Sequence, residues 1–190
     1  VGSSSAFTAA LLSALSIHKN QKFTPASITE KTIYVEQEIL KENVGIQDQI
    51  QVCNGGFNIT SIFKDSSYSM LSLNNSSSIV KEIGQSLVLV YSGITRSSSD
   101  IQNQQYSLMK DKKLEDSLNK INIIAENFAS KLTQHSANFQ FFQSLMKESW
   151  EVKSSTFPKC KNTDILLSIY EEAMLSGANC GKLLGAGGGG

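Results

Sequence analysis

Apolar and polar residues alternate along this 190-residue chain in two kinds of pattern, one typical of helices and one typical of strands. Apolar residues at the helical spacing predict five helices, which lie near residues 2–19, 24–41, 114–135, 141–152 and 163–176. Short β-type runs between polar turns predict strands within residues 49–73, and the run SLVLVYSGI predicts a further strand at residues 86–94. We therefore expect an α+β protein.

Local signals indicate where these helices begin and end. Thr24 followed by Pro25 is typical of a capped helix N-terminus, Gly45 interrupts the chain after the second helix, and Gly177 predicts a left-handed cap after the last one. The first helix has a broad apolar surface, so we expect it to pack inside a core. That surface consists of Ala6, Phe7, Ala10, Leu11, Leu12, Ala14 and Leu15.

The composition excludes several classes of protein. Hydrophobic residues make up 40% of the chain, which is typical of a globular protein, and 17 basic residues balance 17 acidic ones. Without a basic stripe we expect no nucleic-acid binding, and the longest apolar runs, such as 87–91, are too short to span a bilayer. Three separated cysteines without a CxxC pair indicate reduced thiols rather than a zinc site. Reduced thiols are typical of a cytoplasmic protein, which is the localisation that we expect.

The segment GSSSAFT, which begins at Gly2, places a glycine and three hydroxyl groups at the N-terminus of a helix. Unpaired amide N–H groups and the positive end of the helix dipole would favour an anion there, and a serine oxygen can bind Mg²⁺ that arrives with a nucleotide. An ordinary helix cap is the alternative interpretation, although it needs only one hydroxyl.

Two acidic residues follow in VEQEILKENVGIQDQ. Glu36 lies on the apolar stripe of the second helix, at helical spacing from Ile33 and Leu40, so we expect it to be buried and to need a cation or hydrogen-bond donors. Asp48 lies in the turn after Gly45. Such a pair suits magnesium binding and general-base chemistry respectively, whereas two surface carboxylates are the alternative.

The chain ends in GAGGGG, in which Gly185, Gly187 and Gly190 match the spacing of a dinucleotide fingerprint. That motif must open a helix, which is not predicted here, and the preceding GANCGKL lacks one residue of a Walker phosphate loop. A flexible linker is a further alternative. We favour a backbone that passes very close to a ligand or to another loop.

The order of these segments resembles that of the GHMP small-molecule kinases. VGSSSAFT is similar to the phosphate-binding motif of that family, and Gly185–Gly189 is similar to its closing glycine motif. The branch that the chain resembles most comprises bacterial sugar kinases that act on D-glycero-D-manno-heptose 7-phosphate. That similarity lies in EQEILKENVGIQDQ, GGFN, LVLVYSGITRSSSDI, SWEVK and GANCGKLLGAGGGG.

The resemblance implies a two-domain fold. Residues 1–80 would be the remainder of an ATP-binding domain like domain 2 of ribosomal protein S5, and residues 81–190 would be a ferredoxin-like α+β domain. The family's first strand and the strand after the glycines have no counterpart here, so we expect a central part of a longer enzyme that is inactive alone. Cys180 stands where this branch usually has glycine.

The resemblance also implies roles for individual residues. The Gly2–Ser5 loop (Gly2, Ser3, Ser4 and Ser5) would bind the ATP phosphates, with the Ser4 hydroxyl and Glu36 as Mg²⁺ ligands. Asp48 would accept the proton of the attacking sugar hydroxyl or orient that hydroxyl. The substrate itself would contact Arg96, Lys153, Gly185, Ala186, Gly187 and Gly188.

The expected activity is therefore the ATP-dependent phosphorylation of a sugar hydroxyl, namely the anomeric hydroxyl of a heptose 7-phosphate, with neither nucleic acid nor membrane as partner. Two alternatives stay open at this point. One is another GHMP kinase, of the fucose, galactose or mevalonate type, and the other is a non-catalytic relative that binds nucleotides.

Overall fold

The computed structural model describes residues 2–73, 77–94, 112–156 and 161–184. The chain forms two compact units, residues 1–77 and residues 78–190. Helices and a small sheet occur together, which confirms the α+β class. Among the described helices, none is both long and apolar enough to cross a membrane.

The first unit contains three helices followed by a hairpin. The helices are α1 (Ser3–His18), α2 (Pro25–Tyr34) and α3 (Gln47–Asn54), and each packs against the other two. The hairpin strands are β1 (Phe57–Ile62) and β2 (Tyr68–Leu73), which pair antiparallel with Phe57 opposite Leu73 and Ile62 opposite Tyr68. A single π-helical turn, Val35–Ile39, continues α2 towards the loop before α3.

The predicted start of α2 is confirmed in detail. The Thr24 hydroxyl accepts a hydrogen bond of 3.2 Å from the backbone N–H of Ser27, and the Ser27 hydroxyl accepts one of 2.9 Å from the N–H of Thr24. Pro25 occupies the first helical position, where its missing N–H group costs nothing. This reciprocal cap satisfies backbone N–H groups that have no partner within the helix, and it therefore fixes where α2 begins.

The predicted burial of the apolar surface of α1 is wrong for the structure described here. Phe7 is 70% exposed and Leu11 is 49% exposed, whereas the buried residues of this helix are Ser5, Ala9 and Ser16. Small side chains allow α1 to approach α2 and α3 closely, which explains why this face, rather than the larger apolar one, is buried. Hydrophobic spacing alone does not show which face of a helix finds a neighbour.

Two of the predicted strand regions also differ in the structure. Residues 49–54 belong to α3 rather than to a strand, and residues 87–94 follow the helix α4 (Ser78–Ser86) without forming a strand with any part of the chain that the structure describes. The side chains of this second segment are well exposed, with Val88 at 83%. A β-branched run becomes a strand only when another strand satisfies its backbone groups.

The second unit is helical in its described part. After α4 come α5 (Lys112–Thr133), α6 (Phe139–Ser154) and α7 (Lys161–Leu175), which confirm the three helices predicted there. Helices α5 and α6 pack together, and the Trp150 ring of α6 stacks on the Tyr170 ring of α7 with centroids 4.3 Å apart. These contacts place α6 between its two neighbours.

Gly177 ends α7 as predicted. Its φ of 101° is unfavourable for other residues, and the N–H of Ala178 donates a hydrogen bond of 3.0 Å to the carbonyl oxygen of Ala173. This bond, with the 3.1 Å bond from Gly177 to Met174, defines a Schellman motif. The motif turns the chain back, so that residues 178–184 run along the second unit.

Candidate functional site

The N-terminus of α1 is a glycine-capped turn with available amide groups. Gly2 adopts a left-handed conformation (φ 63°, ψ 23°), and a Cβ atom at this position would lie 3.3 Å from Cγ1 of Val52. The helix has neither a side-chain hydrogen bond at its cap nor an acidic residue in its first turn. The first amide N–H groups of the helix therefore lack both intrahelical acceptors and a capping oxygen, which is the arrangement that favours a bound anion.

Glu36 lies in the π-helical turn and is buried, with 1% of its surface exposed, as its place on the apolar stripe predicts. The hydroxyl of Ser5 donates a hydrogen bond of 3.0 Å to Oε2 of Glu36, and the side-chain N–H of Gln49 donates a second hydrogen bond to the same oxygen. The other oxygen of the carboxylate, Oε1, is buried and has no hydrogen-bond partner among the described residues. A buried carboxylate is thus held by one oxygen and unsatisfied at the other.

The unsatisfied Oε1 atom of Glu36 is suited to a hard cation. Leaving a buried acceptor unpaired costs about 1–3 kcal/mol, and more for a charged group. In the described part of the chain, no group of three or more histidine, cysteine, aspartate or glutamate side chains could hold a metal. A cation at Glu36 would need hydroxyl, amide, water or phosphate oxygens as its other ligands, which is how Mg²⁺ is commonly bound with a nucleotide. The residues present therefore fit Mg²⁺ carried by phosphates.

Asp48 lies in the first turn of α3, not in a turn between elements as predicted. The helix begins at Gln47, directly after Ile46, so Asp48 is held by helical backbone. Its Cβ and Cγ atoms would each lie 3.6 Å from a Cβ atom placed on Gly2. The exposed carboxyl group of Asp48 therefore adjoins the glycine turn at the start of α1.

The structure brings together three of the segments that the sequence singled out. The Gly2–Ser5 loop contacts Glu36 through Ser5 and adjoins Asp48 through Gly2. The Ser4 side chain is exposed, and it is Ser5 that hydrogen-bonds to Glu36. The assignment of Ser4 as a metal ligand stays a prediction.

Sequence reasoning missed Gln49. This side chain is buried, with 1% exposed, and its Oε1 atom has no hydrogen-bond partner among the described residues. Gln49 is three residues after Ile46 and one before Ile50, both of which are buried. A polar residue on an apolar stripe was the available signal, the same one that identified Glu36.

In the second unit, Lys153 of α6 lies close to Lys182, which belongs to the segment that leads to the terminal glycines. Nζ of Lys153 donates a hydrogen bond of 3.0 Å to the carbonyl oxygen of Leu183, and Nζ of Lys182 lies 3.4 Å from the hydroxyl oxygen of Ser149. Burial, together with the neighbouring Lys182 ammonium group, lowers the pKa of Lys153 from 10.5 to about 8. Burial also lowers the pKa of Lys182. Arg96 and Gly185–Gly188, which were predicted to contact substrate, lie outside the described residues.

Comparison of the sequence with models of known protein families identifies a match that contains the segments of this site. Residues 1–56 match the family model described as GHMP kinases N terminal domain, and this range includes the Gly2–Ser5 loop, Glu36, Asp48 and Gln49. The resemblance to the GHMP kinases is thereby confirmed.

A curated relative extends the similarity over the whole chain. All 190 residues align, at 27% identity, with the D-glycero-alpha-D-manno-heptose 7-phosphate kinase of Campylobacter jejuni subsp. jejuni serotype O:2. The alignment covers 100% of this chain and 55% of that protein, so the chain spans little more than half the length of the relative.

Proposed function

We propose that the protein to which this chain belongs is an ATP-dependent sugar kinase of the GHMP type that uses Mg²⁺. The observation that carries the proposal is the convergence of the Gly2–Ser5 loop, the buried Glu36 and Asp48 in one compact unit. The family match over residues 1–56 supports the same reaction class. We also propose the two-domain GHMP kinase fold, divided near residue 80, in a cytoplasmic enzyme.

The Gly2–Ser5 loop would bind the phosphates of ATP. The amide groups at the start of α1 supply donors, and the left-handed Gly2 removes the side chain that would fill the space beside Asp48 and Val52. Glu36, with the Ser4 hydroxyl, would hold Mg²⁺, which neutralises negative charge on the phosphates when it is bound. In phosphoryl transfer, positioning and charge neutralisation account for most of the catalytic effect.

Asp48 would act on the sugar hydroxyl. The hydroxyl oxygen forms a bond to the γ-phosphorus atom, the bond from that phosphorus to the bridging oxygen breaks, and ADP departs with the bonding electron pair. The proton of the hydroxyl passes to the Asp48 carboxylate. The place of Asp48 beside Gly2 supports this role because the base must lie close to the phosphate-binding turn.

The proposed substrate is a heptose 7-phosphate, phosphorylated at its anomeric hydroxyl. The similarity to a protein named as a heptose 7-phosphate kinase supports this choice. Arg96 and Lys153 would bind the phosphate that the sugar already carries, and Gly185, Ala186, Gly187 and Gly188 would contact the sugar. The neighbouring Lys182 supports an anion at Lys153, because two close ammonium groups repel each other until a negative charge lies between them.

An assay of ADP release by the full-length protein tests the proposal. With Mg·ATP present, heptose 7-phosphate should give a kcat/KM at least about tenfold above that of mannose, fucose, galactose or mevalonate, because a site built for a substrate phosphate rejects analogues without it. Equal turnover of fucose or galactose would replace the heptose assignment with another GHMP kinase. Nucleotide binding without turnover of any sugar would indicate a non-catalytic relative.

A further inference from the structure

Gln49 has an environment that its neighbours on α3 do not share. Its side chain is buried, its N–H group donates to Oε2 of Glu36, and its own Oε1 atom has no hydrogen-bond partner among the described residues. Gln51, two residues further along the same helix, is only partly buried and donates a hydrogen bond of 2.8 Å to the hydroxyl of Thr60. Buried amide oxygens in native proteins almost always have a donor or a cation.

The two unsatisfied atoms belong to side chains that touch each other. Oε1 of Glu36 and Oε1 of Gln49 are both buried acceptors, and the hydrogen bond from Gln49 to Oε2 of Glu36 joins the two groups. A role in packing alone does not explain the amide, because Ile46 and Ile50 fill the flanking buried positions of α3 with apolar side chains. One missing positively charged partner would account for both orphaned oxygens.

We propose that Gln49 is a residue of the cation site at Glu36. Its N–H group fixes the carboxylate through Oε2, which leaves Oε1 of Glu36 for a hard divalent cation. Its own Oε1 faces the same cation, either directly or through one of the water molecules that Mg²⁺ retains. The inference deepens the proposed function, and rests on it only for the expectation that the cation arrives with a nucleotide.

Binding of Mn²⁺, followed by electron paramagnetic resonance, tests the role of Gln49 in the full-length protein. Titrations are made with Mn²⁺ alone and with a non-hydrolysable ATP analogue. Replacing Gln49 with methionine (Q49M) removes both the N–H donor and the oxygen at nearly constant volume, and should weaken Mn²⁺ binding by about 10- to 100-fold. The matched control Q51M makes the same change on the same helix away from Glu36, and should leave Mn²⁺ affinity within about twofold.

A second variant separates a cation-binding role from a structural one. Q49E keeps an oxygen ligand but places a second carboxyl group beside the buried Glu36, so the metal-free protein should unfold at a lower temperature. Mn²⁺ should then raise the unfolding temperature of Q49E more than that of the wild type, and raise that of Q49M less. A Mn²⁺-induced rise in unfolding temperature that is larger than wild type in Q49E and smaller than wild type in Q49M supports the inference.

The following results would overturn the inference that Gln49 belongs to the cation site. If Q49M and Q49E shift the unfolding temperature equally with and without Mn²⁺, and Mn²⁺ affinity is unaltered, Gln49 has a packing role only. That result would leave the proposed kinase function intact if the wild type still phosphorylates a sugar. Conversely, a wild type that binds Mn²⁺ through Gln49 but phosphorylates no sugar would remove the proposed function and retain the cation site.

Discussion

The Ser5 hydroxyl donates a hydrogen bond of 3.0 Å to Glu36 from a position 31 residues earlier in the chain. This bond joins the first turn of α1 to the π-helical turn after α2, so the segment with available amide groups and the buried carboxylate are held as one structural element. Any ligand that combines an anion with a cation could contact both. This relationship, rather than either segment alone, makes the first unit a candidate site for a metal–nucleotide complex.

Removing the charge of Glu36 should weaken cation binding without unfolding the protein. In E36Q the buried group becomes neutral, so the free energy of unfolding of the metal-free protein should be unchanged or higher, because an unpaired buried charge is removed. Affinity for Mg·ATP should fall by about 10- to 100-fold. Calorimetric titration of the full-length protein with Mg·ATP measures this.

The matched control for that substitution is E38Q. Glu38 lies in the same π-helical turn but pairs with Lys41 at the surface, and its side chain is 59% exposed. Mg·ATP affinity should be unchanged in E38Q. Equal losses of Mg·ATP affinity in E36Q and E38Q would contradict a cation site at Glu36.

Substituting Gly2 should distort the turn at the start of α1. In G2A the left-handed φ of 63° becomes unfavourable by about 1–2 kcal/mol, and the new Cβ atom meets Val52 at 3.3 Å. We expect a lower urea midpoint and weaker ATP binding. G45A is the control, because a Cβ atom at Gly45 has nothing within 4 Å, and its urea midpoint should not fall. A wild-type midpoint and ATP affinity in G2A would show that the turn tolerates a side chain.

Substituting Asp48 should lower the rate of turnover more than it weakens ATP binding. In D48N the carboxylate that would accept the proton becomes an amide of nearly the same shape, and kcat should fall by about 10²- to 10⁴-fold while the KM for ATP changes little. The control D65N alters an exposed carboxyl group whose hydrogen bonds to Ser67 lie within the hairpin turn, and it should leave kcat unchanged. Full activity in D48N would exclude Asp48 as the base.

Local signals in the sequence predicted much of this structure, whereas contacts between elements did not follow from it. The cap at Thr24, the helices α5, α6 and α7, and the end of α7 at Gly177 depend on neighbouring residues, and all are confirmed, whereas α4 was not predicted. The strand predicted at residues 86–94 fails because pairing requires a partner that periodicity does not supply.

For the candidate site too, the sequence predicted a local property of one residue but not its contacts with other elements. Burial of Glu36 followed from the spacing of its apolar neighbours, and the structure confirms that burial. The contact partners did not follow, because Ser5 and Gln49 reach Glu36 only through the packing of α1 and α3 beside the π-helical turn. A one-dimensional pattern indicates that a carboxylate needs a partner, but the fold determines which residue provides it.

The final prediction concerns pH and Lys153. Because its pKa is lowered from 10.5 to about 8 in the folded protein, the unfolded state binds more protons between these values, and stability should rise as pH rises through this window. The stabilising contribution is complete above pH 10.5 and is lost as pH falls through about 8. Lys182, whose pKa is also lowered, acts in the same direction. Urea unfolding of the full-length protein across this range measures the slope.

K153M should flatten that slope, whereas K120M, which alters an exposed lysine of α5, should leave it unchanged. A bound sugar phosphate would favour the charged lysine, so its binding above pH 8 should take up protons. Calorimetry in two buffers of different ionisation enthalpy detects this uptake, which should decrease in K153M. Proton uptake of the same size in K153M and the wild type would mean that the substrate phosphate binds elsewhere, because the lysine that gains the proton must be the one that faces the new negative charge.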